Sequence, residues 1–134
     1  MTTDQQGQPQ ITAVDWAFVG IGAIGQELAP LVFSNRSEPE MEAHALRHYL
    51  SGLLDAGWQG DERSVQLGYA ITMALEYGLV LVGFYVDALL DEQQHPSLEQ
   101  GFGEPIDKLV EQYASWMAFA LPRAEQARLL LSEL

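Results

Sequence analysis

Cysteine is absent from the 134 residues, which excludes a disulfide framework, a thiolate metal site and a cysteine nucleophile, and is compatible with a reducing cytoplasm. Basic residues are scarce: six Lys and Arg stand against 19 Asp and Glu, a net charge of −13 that would repel a phosphate backbone. Nucleic acid and anionic membrane are therefore not expected as partners, and a cationic partner fits the charge better. Internal repeats are missing. The polar, glutamine-rich start from Met1 to Gln10 has neither the basic beginning nor the apolar core of a secretion signal, so no export is expected and a cytoplasmic location is.

What is present is ample apolar material. Hydrophobic residues make up 48% of the chain and charged ones 19%, a balance that favours a packed core over disorder, within the length of one domain. From Leu67 to Val86 the only formal charge is Glu76, long enough for a bilayer span. The flanks carry Asp61, Glu62, Asp87, Asp91 and Glu92 with Arg63 as the single nearby base, so no positive-inside anchor exists and a buried core helix is expected.

Along the chain, Ile11, Val14, Trp16 and Phe18 predict a short strand over 10–18 after the turn signal Gln6-Gly7-Gln8-Pro9. Gly20, Gly22 and Gly25 predict a flexible loop, and 26–33 a short helix that Pro30 restricts or kinks. Met41, Ala45, Leu46, Tyr49, Leu50, Leu53 and Leu54 then recur at helical spacing on one face, with Ser37 as candidate cap and Gly57 at the end. A long helical run follows over about 61–90, with Gly78 or Gly83 as possible breaks, and forms the centre of the core. The stretch 93–103 reads as a loop, and 104–121 with 123–134 as one or two helices divided at Pro122.

Two motifs invite chemistry. Gly20-Ile21-Gly22-Ala23-Ile24-Gly25 is a literal G-x-G-x-x-G between strand and helix, where a dinucleotide pyrophosphate could meet backbone amides. A Rossmann unit also needs a second parallel strand ending in an acid about 20 residues on. Glu38, Glu40 and Glu42 stand at that distance but open a helix. A dinucleotide-binding fragment therefore ranks below the other readings, and would show NAD(P) binding lost when Gly22 becomes bulky. Glu40, His44 and His48 lie at i, i+4, i+8 and could chelate a metal, but on the face opposite Leu46, Tyr49 and Leu53 they read as solvated side chains without a fourth ligand. His95, before Pro96, has no recognisable partner in the sequence. Trp16, Trp58 and Trp116 read as core or interface aromatics.

The segment Ile11-Thr12-Ala13-Val14-Asp15-Trp16-Ala17-Phe18-Val19-Gly20, continued by Gly25-Gln26-Glu27-Leu28-Ala29-Pro30-Leu31, resembles the strand, Asp-Trp and Asp-Leu-Ala stretch of the aminoglycoside phosphotransferase and choline-kinase-like family. The resemblance implies that Asp15 is the metal ligand that holds Mg²⁺ against the phosphates of ATP, as a hard carboxylate oxygen can. Glu27 falls where the family has an aspartate that resembles a structural brace. Tyr49-Leu50-Ser51-Gly52-Leu53 and Gly57-Trp58 resemble helices of the family's substrate lobe. The family's catalytic loop, His-Gly-Asp followed by His-Pro-x-Asn, belongs ahead of Asp15, where this chain has only the stretch back to Met1.

The expected fold is mainly α with a small N-terminal β element, a protein-kinase-like C-terminal lobe, partial. One partial domain spans 1–134: a polar segment 1–10, then strand, metal-Asp motif and Gly loop over 11–36, then a helical subdomain over 37–134. The implied function is the C-terminal part of an ATP-dependent phosphotransferase acting on a hydroxyl of a small, cationic molecule, with negligible kinase activity for this chain alone. Acidic residues of the helical lobe would take such a substrate, and Asp55, Asp87, Asp91 and Glu111 are open candidates. The alternative is a non-catalytic helical interaction module, or half of a split enzyme, which would expose apolar surface and therefore self-associate or bind a complementing chain.

Overall fold

The computed structural model describes residues 2–3, 9–10, 22–38 and 40–133. The described part is mainly α, as expected. Two short strands, β1 (Thr2–Thr3) and β2 (Pro9–Gln10), pair antiparallel with Thr2 opposite Gln10. This β element lies in the segment expected to be merely polar, and the strand expected over 10–18 falls, Gln10 apart, outside the described residues.

Helix α1 (Leu28–Ser34) carries Pro30 in its first turn, where the missing N–H would have had no helical acceptor, so the proline starts the helix without breaking it. One side of α1, with Leu28, Ala29, Val32 and Phe33, is buried. Helix α2 (Met41–Asp55) has the predicted apolar face: Ala45, Leu46, Tyr49, Leu50 and Leu53 pack on the core around α1. Leu54, read as part of that face, is instead 63% exposed. Ser37 is not its cap; Glu40 holds that position with no side-chain bond. The C-terminus of α2 follows the sequence reading closely. Gly57, at φ 83°, lets its own N–H reach Leu54 O at 2.9 Å and that of Trp58 reach Leu53 O at 2.9 Å, the paired bonds of a Schellman motif.

Helix α3 (Glu62–Thr72) starts at Asp61, whose carboxylate accepts from the Arg63 N–H at 3.0 Å. It runs without a break through a π-helical stretch, Met73–Val80, into α4 (Leu81–Leu90). Gly78 lies within the π-helical stretch and Gly83 inside α4, so the irregularity falls at the first of the two predicted breaks. Among the residues whose burial is described, the expected buried core helix is realised fully in its first half. Val65, Tyr69, Ala70 and Met73 are buried between α1 and α6, whereas Leu75, Leu79, Val80, Val86 and Leu90 are 39–80% exposed, because no described element covers that side. The continuous run Glu62–Leu90 is long and apolar enough, by length and composition, to cross a membrane, and 13% of its most apolar window is buried.

The loop expected over 93–103 is instead largely helix α5 (His95–Phe102). Pro96 sits in its first turn, where proline is at home, and Gly103 closes it in the left-handed conformation at φ 71°. Helix α6 (Ile106–Ser132) passes through Pro122 unbroken. The proline removes a single N–H bond, while Leu109, Tyr113, Ala120 and Ala127 bury the helix on both sides of it; packing outweighs that local loss. Trp116 of α6 touches both core clusters, one built on α1, α2 and α3, the other on Leu109 and Tyr113 with Tyr85, Leu89 and Leu98.

Candidate functional site

Asp15, with Trp16 and Gly20, lies outside the described residues, which resume at Gly22. Over Ala23–Phe33 the chain is bound into the core. Gly25 is buried at φ 89°, and a Cβ there would lie 2.2 Å from the Val65 carbonyl oxygen of α3. Gly68 answers from the other side, since a Cβ on it would lie 2.0 Å from the Ile24 carbonyl oxygen. Two glycines thus let loop and helix backbones touch. The Gly25 N–H donates to the Tyr49 hydroxyl at 3.3 Å, so this amide of the G-x-G-x-x-G stretch already has an acceptor and does not serve a pyrophosphate. Among the described residues no second parallel strand follows it.

The Tyr49 hydroxyl in turn donates to Glu27 Oε1. Glu27 therefore ties the loop to α2 through Tyr49. Burial, and then the hydrogen bond to Glu27, push the Tyr49 phenol pKa up.

The other sequence candidates separate. Glu40 Oε2 lies 3.5 Å from His44 Nε2 with both side chains at least half exposed, and the His44 and His48 rings stand 6.4 Å apart at their centroids. Among the described residues no group of three or more His, Asp or Glu could hold a metal ion. His95 has a partner the sequence did not disclose: its Nε2 lies 2.9 Å from the Leu89 carbonyl oxygen, near the end of α4, and the ring serves as a structural tie. Asp91 turns back on the Gln94 side chain and then the Gln93 N–H, which hold its carboxyl below the usual range. Glu111 lines an open groove with Glu104, Lys108 and Gln112, and its carboxylate is paired with Lys108 at 2.7 Å. Asp55 and Asp87 are exposed.

One polar cluster that sequence reasoning missed lies between α2, α3 and α6. Arg123 donates to Glu42 of α2 and to the Phe119 carbonyl oxygen at 2.8 Å, with its guanidinium 3.9 Å above the Phe119 ring. The Glu42–Arg123 pair spans 81 residues of sequence, which is why helical spacing could not reveal it. Tyr69 is fully buried beside it, its hydroxyl outside hydrogen-bond geometry, and loss of water together with the Glu42 charge drives its pKa well above the ordinary 10.0. Burial also pushes Tyr113 up to about 12.

These phenols hold their protons more tightly folded than unfolded. Their contribution to stability is whole below pH 10 and is lost as pH rises from 10 through the raised values. Urea midpoints should therefore be level from pH 8 to 9.5 and fall steadily above about pH 10. Tyr69→Phe, which deletes an unsatisfied hydroxyl, should be neutral or slightly stabilising at pH 8 and should lose less than the parent at pH 11. Equal alkaline losses in both proteins would refute this account of Tyr69.

No protein-family model, curated protein or solved structure matches this chain.

Proposed function

We propose that this chain is the helical C-terminal part of an ATP-dependent, cytoplasmic phosphotransferase acting on a hydroxyl of a small, cationic molecule, within a protein-kinase-like C-terminal lobe. The observation that carries the reading is the position of the resembling segment. Gly25, Leu28 and Ala29 of that segment are buried against the helices, and the segment is locked by the Gly25–Val65 and Gly68–Ile24 backbone contacts and by the Glu27–Tyr49 hydrogen bond. A helical lobe whose task is to hold a metal-binding aspartate needs such an anchor immediately after it, because phosphoryl transfer depends on positioning. In this reading Asp15 holds the Mg²⁺ of MgATP, and the base and the phosphate-contacting lysine come from the parts that precede it in the family.

The test is translation of the DNA upstream of the first codon in all three frames. An ATP-binding lobe and a His-Gly-Asp loop are expected there. In the joined protein Asp15→Asn should lower kcat by more than about 100-fold, beyond what a supporting residue costs. Absence of both segments from the upstream DNA would sink the reading.

A second reading, a non-catalytic interaction module or half of a split enzyme, is favoured by one observation: Leu75, Leu79, Val86 and Leu90 form an exposed apolar row along the second half of the Glu62–Leu90 run. Such a row predicts self-association or a tightly held complementing chain. Light scattering on the purified chain decides it, since a soluble monomer at high concentration would count against a partner surface.

A further inference from the structure

Of six basic residues in this acidic chain, two line one cleft. The cleft, about 600 Å³ and open to solvent, lies between the turn after α1 and the middle of α6. Arg36 and Arg123 face it with Ser34, Ser37, Ser115 and Phe119. In a protein of net charge −13, pairing a cation with three hydroxyls in one concavity is the opposite of the surface average, and it is chemistry suited to an oxyanion.

The guanidinium of Arg36 is held in place. Its Nη1 donates to the Phe33 carbonyl oxygen at 2.9 Å, and its carbon lies 4.6 Å from the Phe33 ring centroid and 5.4 Å from that of Trp116. Among the described residues it has no carboxylate partner, and one N–H of five is spent on protein. A cation fixed by stacking and by one backbone bond keeps its remaining donors in a planar fork at little further entropic cost. Arg123 differs, since its charge is shared with Glu42. It closes the cleft and adds one polarised wall.

We propose that this cleft binds the phosphate group of a small molecule, with Arg36 as the principal ligand and the serine hydroxyls of the α1 turn and α6 as further donors. The tetrahedral group suits donors arriving from two elements, and Phe119 with Ala118 offers an apolar flank to the remainder of a phosphoester. The proposal is independent of the phosphotransferase reading, for it uses neither Asp15 nor a metal.

The experiment is titration of the full chain with inorganic phosphate in about 0.15 M salt, which screens the net charge. It is followed by calorimetry and by amide shifts, and then repeated with phenyl phosphate and with acetate. Saturable phosphate binding is expected, with shifts confined to 34–37 and 115–123 and acetate binding weaker. Tighter binding of phenyl phosphate than of phosphate identifies an organic phosphoester as the ligand; equal binding identifies the free oxyanion. Arg36→Gln should weaken binding at least about tenfold, and Ser115→Ala by a smaller factor, both with unchanged circular dichroism. No saturation by about 10 mM phosphate, or an Arg36→Gln protein that binds like the parent, overturns the proposal. Arg123 is left intact because its tie to Glu42 supports the fold.

Discussion

Gly25→Val is expected to unfold the protein or to lower its stability by more than about 3 kcal/mol. Two costs add. At φ 89° any residue with a Cβ is strained by about 1–3 kcal/mol, and a β-branched one most of all. The Cβ itself would overlap the Val65 carbonyl oxygen, at 2.2 Å, so the loop must lift from α3, and forced repacking of this kind costs about 1–3 kcal/mol more. Against a total of about 5–15 kcal/mol for a domain, little would remain. Gly68→Val should fail for the second reason alone, since its Cβ would meet the Ile24 carbonyl oxygen at 2.0 Å. The control is Gly52→Ala in α2, where nothing stands within 4 Å; there the change should stabilise by about 0.5–1 kcal/mol through helix propensity. Urea melts of the three variants check the set. A Gly25→Val protein within about 1 kcal/mol of the parent would mean that the loop does not dock as described.

That pair of glycines shows where sequence reading succeeds and where it stops. Gly25 was legible as a loop residue, and Gly57 as a helix end, because both are local consequences of a missing Cβ. The reason for Gly25's burial was not legible, because Val65 lies 40 residues away in sequence and the contact exists only once loop and α3 meet. Helix α2 could be read from its 3.6-residue period, which is set by the apolar face it buries. Helix α5 could not, because Pro96 signals a break unless one knows that it opens a turn, and α6 was divided at Pro122 because propensity carries no knowledge of packing. The Glu62–Leu90 run was legible as a long apolar helix, but its burial was not. Composition is the same whether Leu79 meets a neighbour or, at 66% exposure, solvent. Of the candidate site, the Glu27–Tyr49 hydrogen bond spans 22 residues of sequence and was not legible, and the Glu42–Arg123 pair and the Arg36 cleft likewise join distant residues and leave only a compositional trace: their cations are rare in this chain.

Phe33→Ala should destabilise the protein by about 3–5 kcal/mol. Phe33 is 7% exposed and is where α1 meets the π-helical stretch and α6. Its ring lies 4.3 Å from Tyr77 of the π-helical stretch and 5.7 and 6.4 Å from Trp116 and Phe119 of α6, all between centroids, while Arg36 stacks above it. Removing the ring leaves a cavity that these neighbours cannot close together, since α6 is also pinned to α2 through Arg123 and Glu42. It also strips Arg36 of a stacking face worth about 0.5–2 kcal/mol, so the guanidinium gains freedom at the mouth of the cleft. Phe33→Leu separates the two effects: most of the volume stays, the loss of stability should shrink to about 1–2 kcal/mol, and the stacking is still gone. Denaturation of the two variants beside the parent measures the packing, and phosphate titration of the folded Phe33→Leu protein measures what the aromatic face contributes to holding Arg36. Phosphate binding as tight in Phe33→Leu as in the parent would leave the Phe33 carbonyl and Trp116 as sufficient support for that arginine, with the phenyl ring serving the core alone.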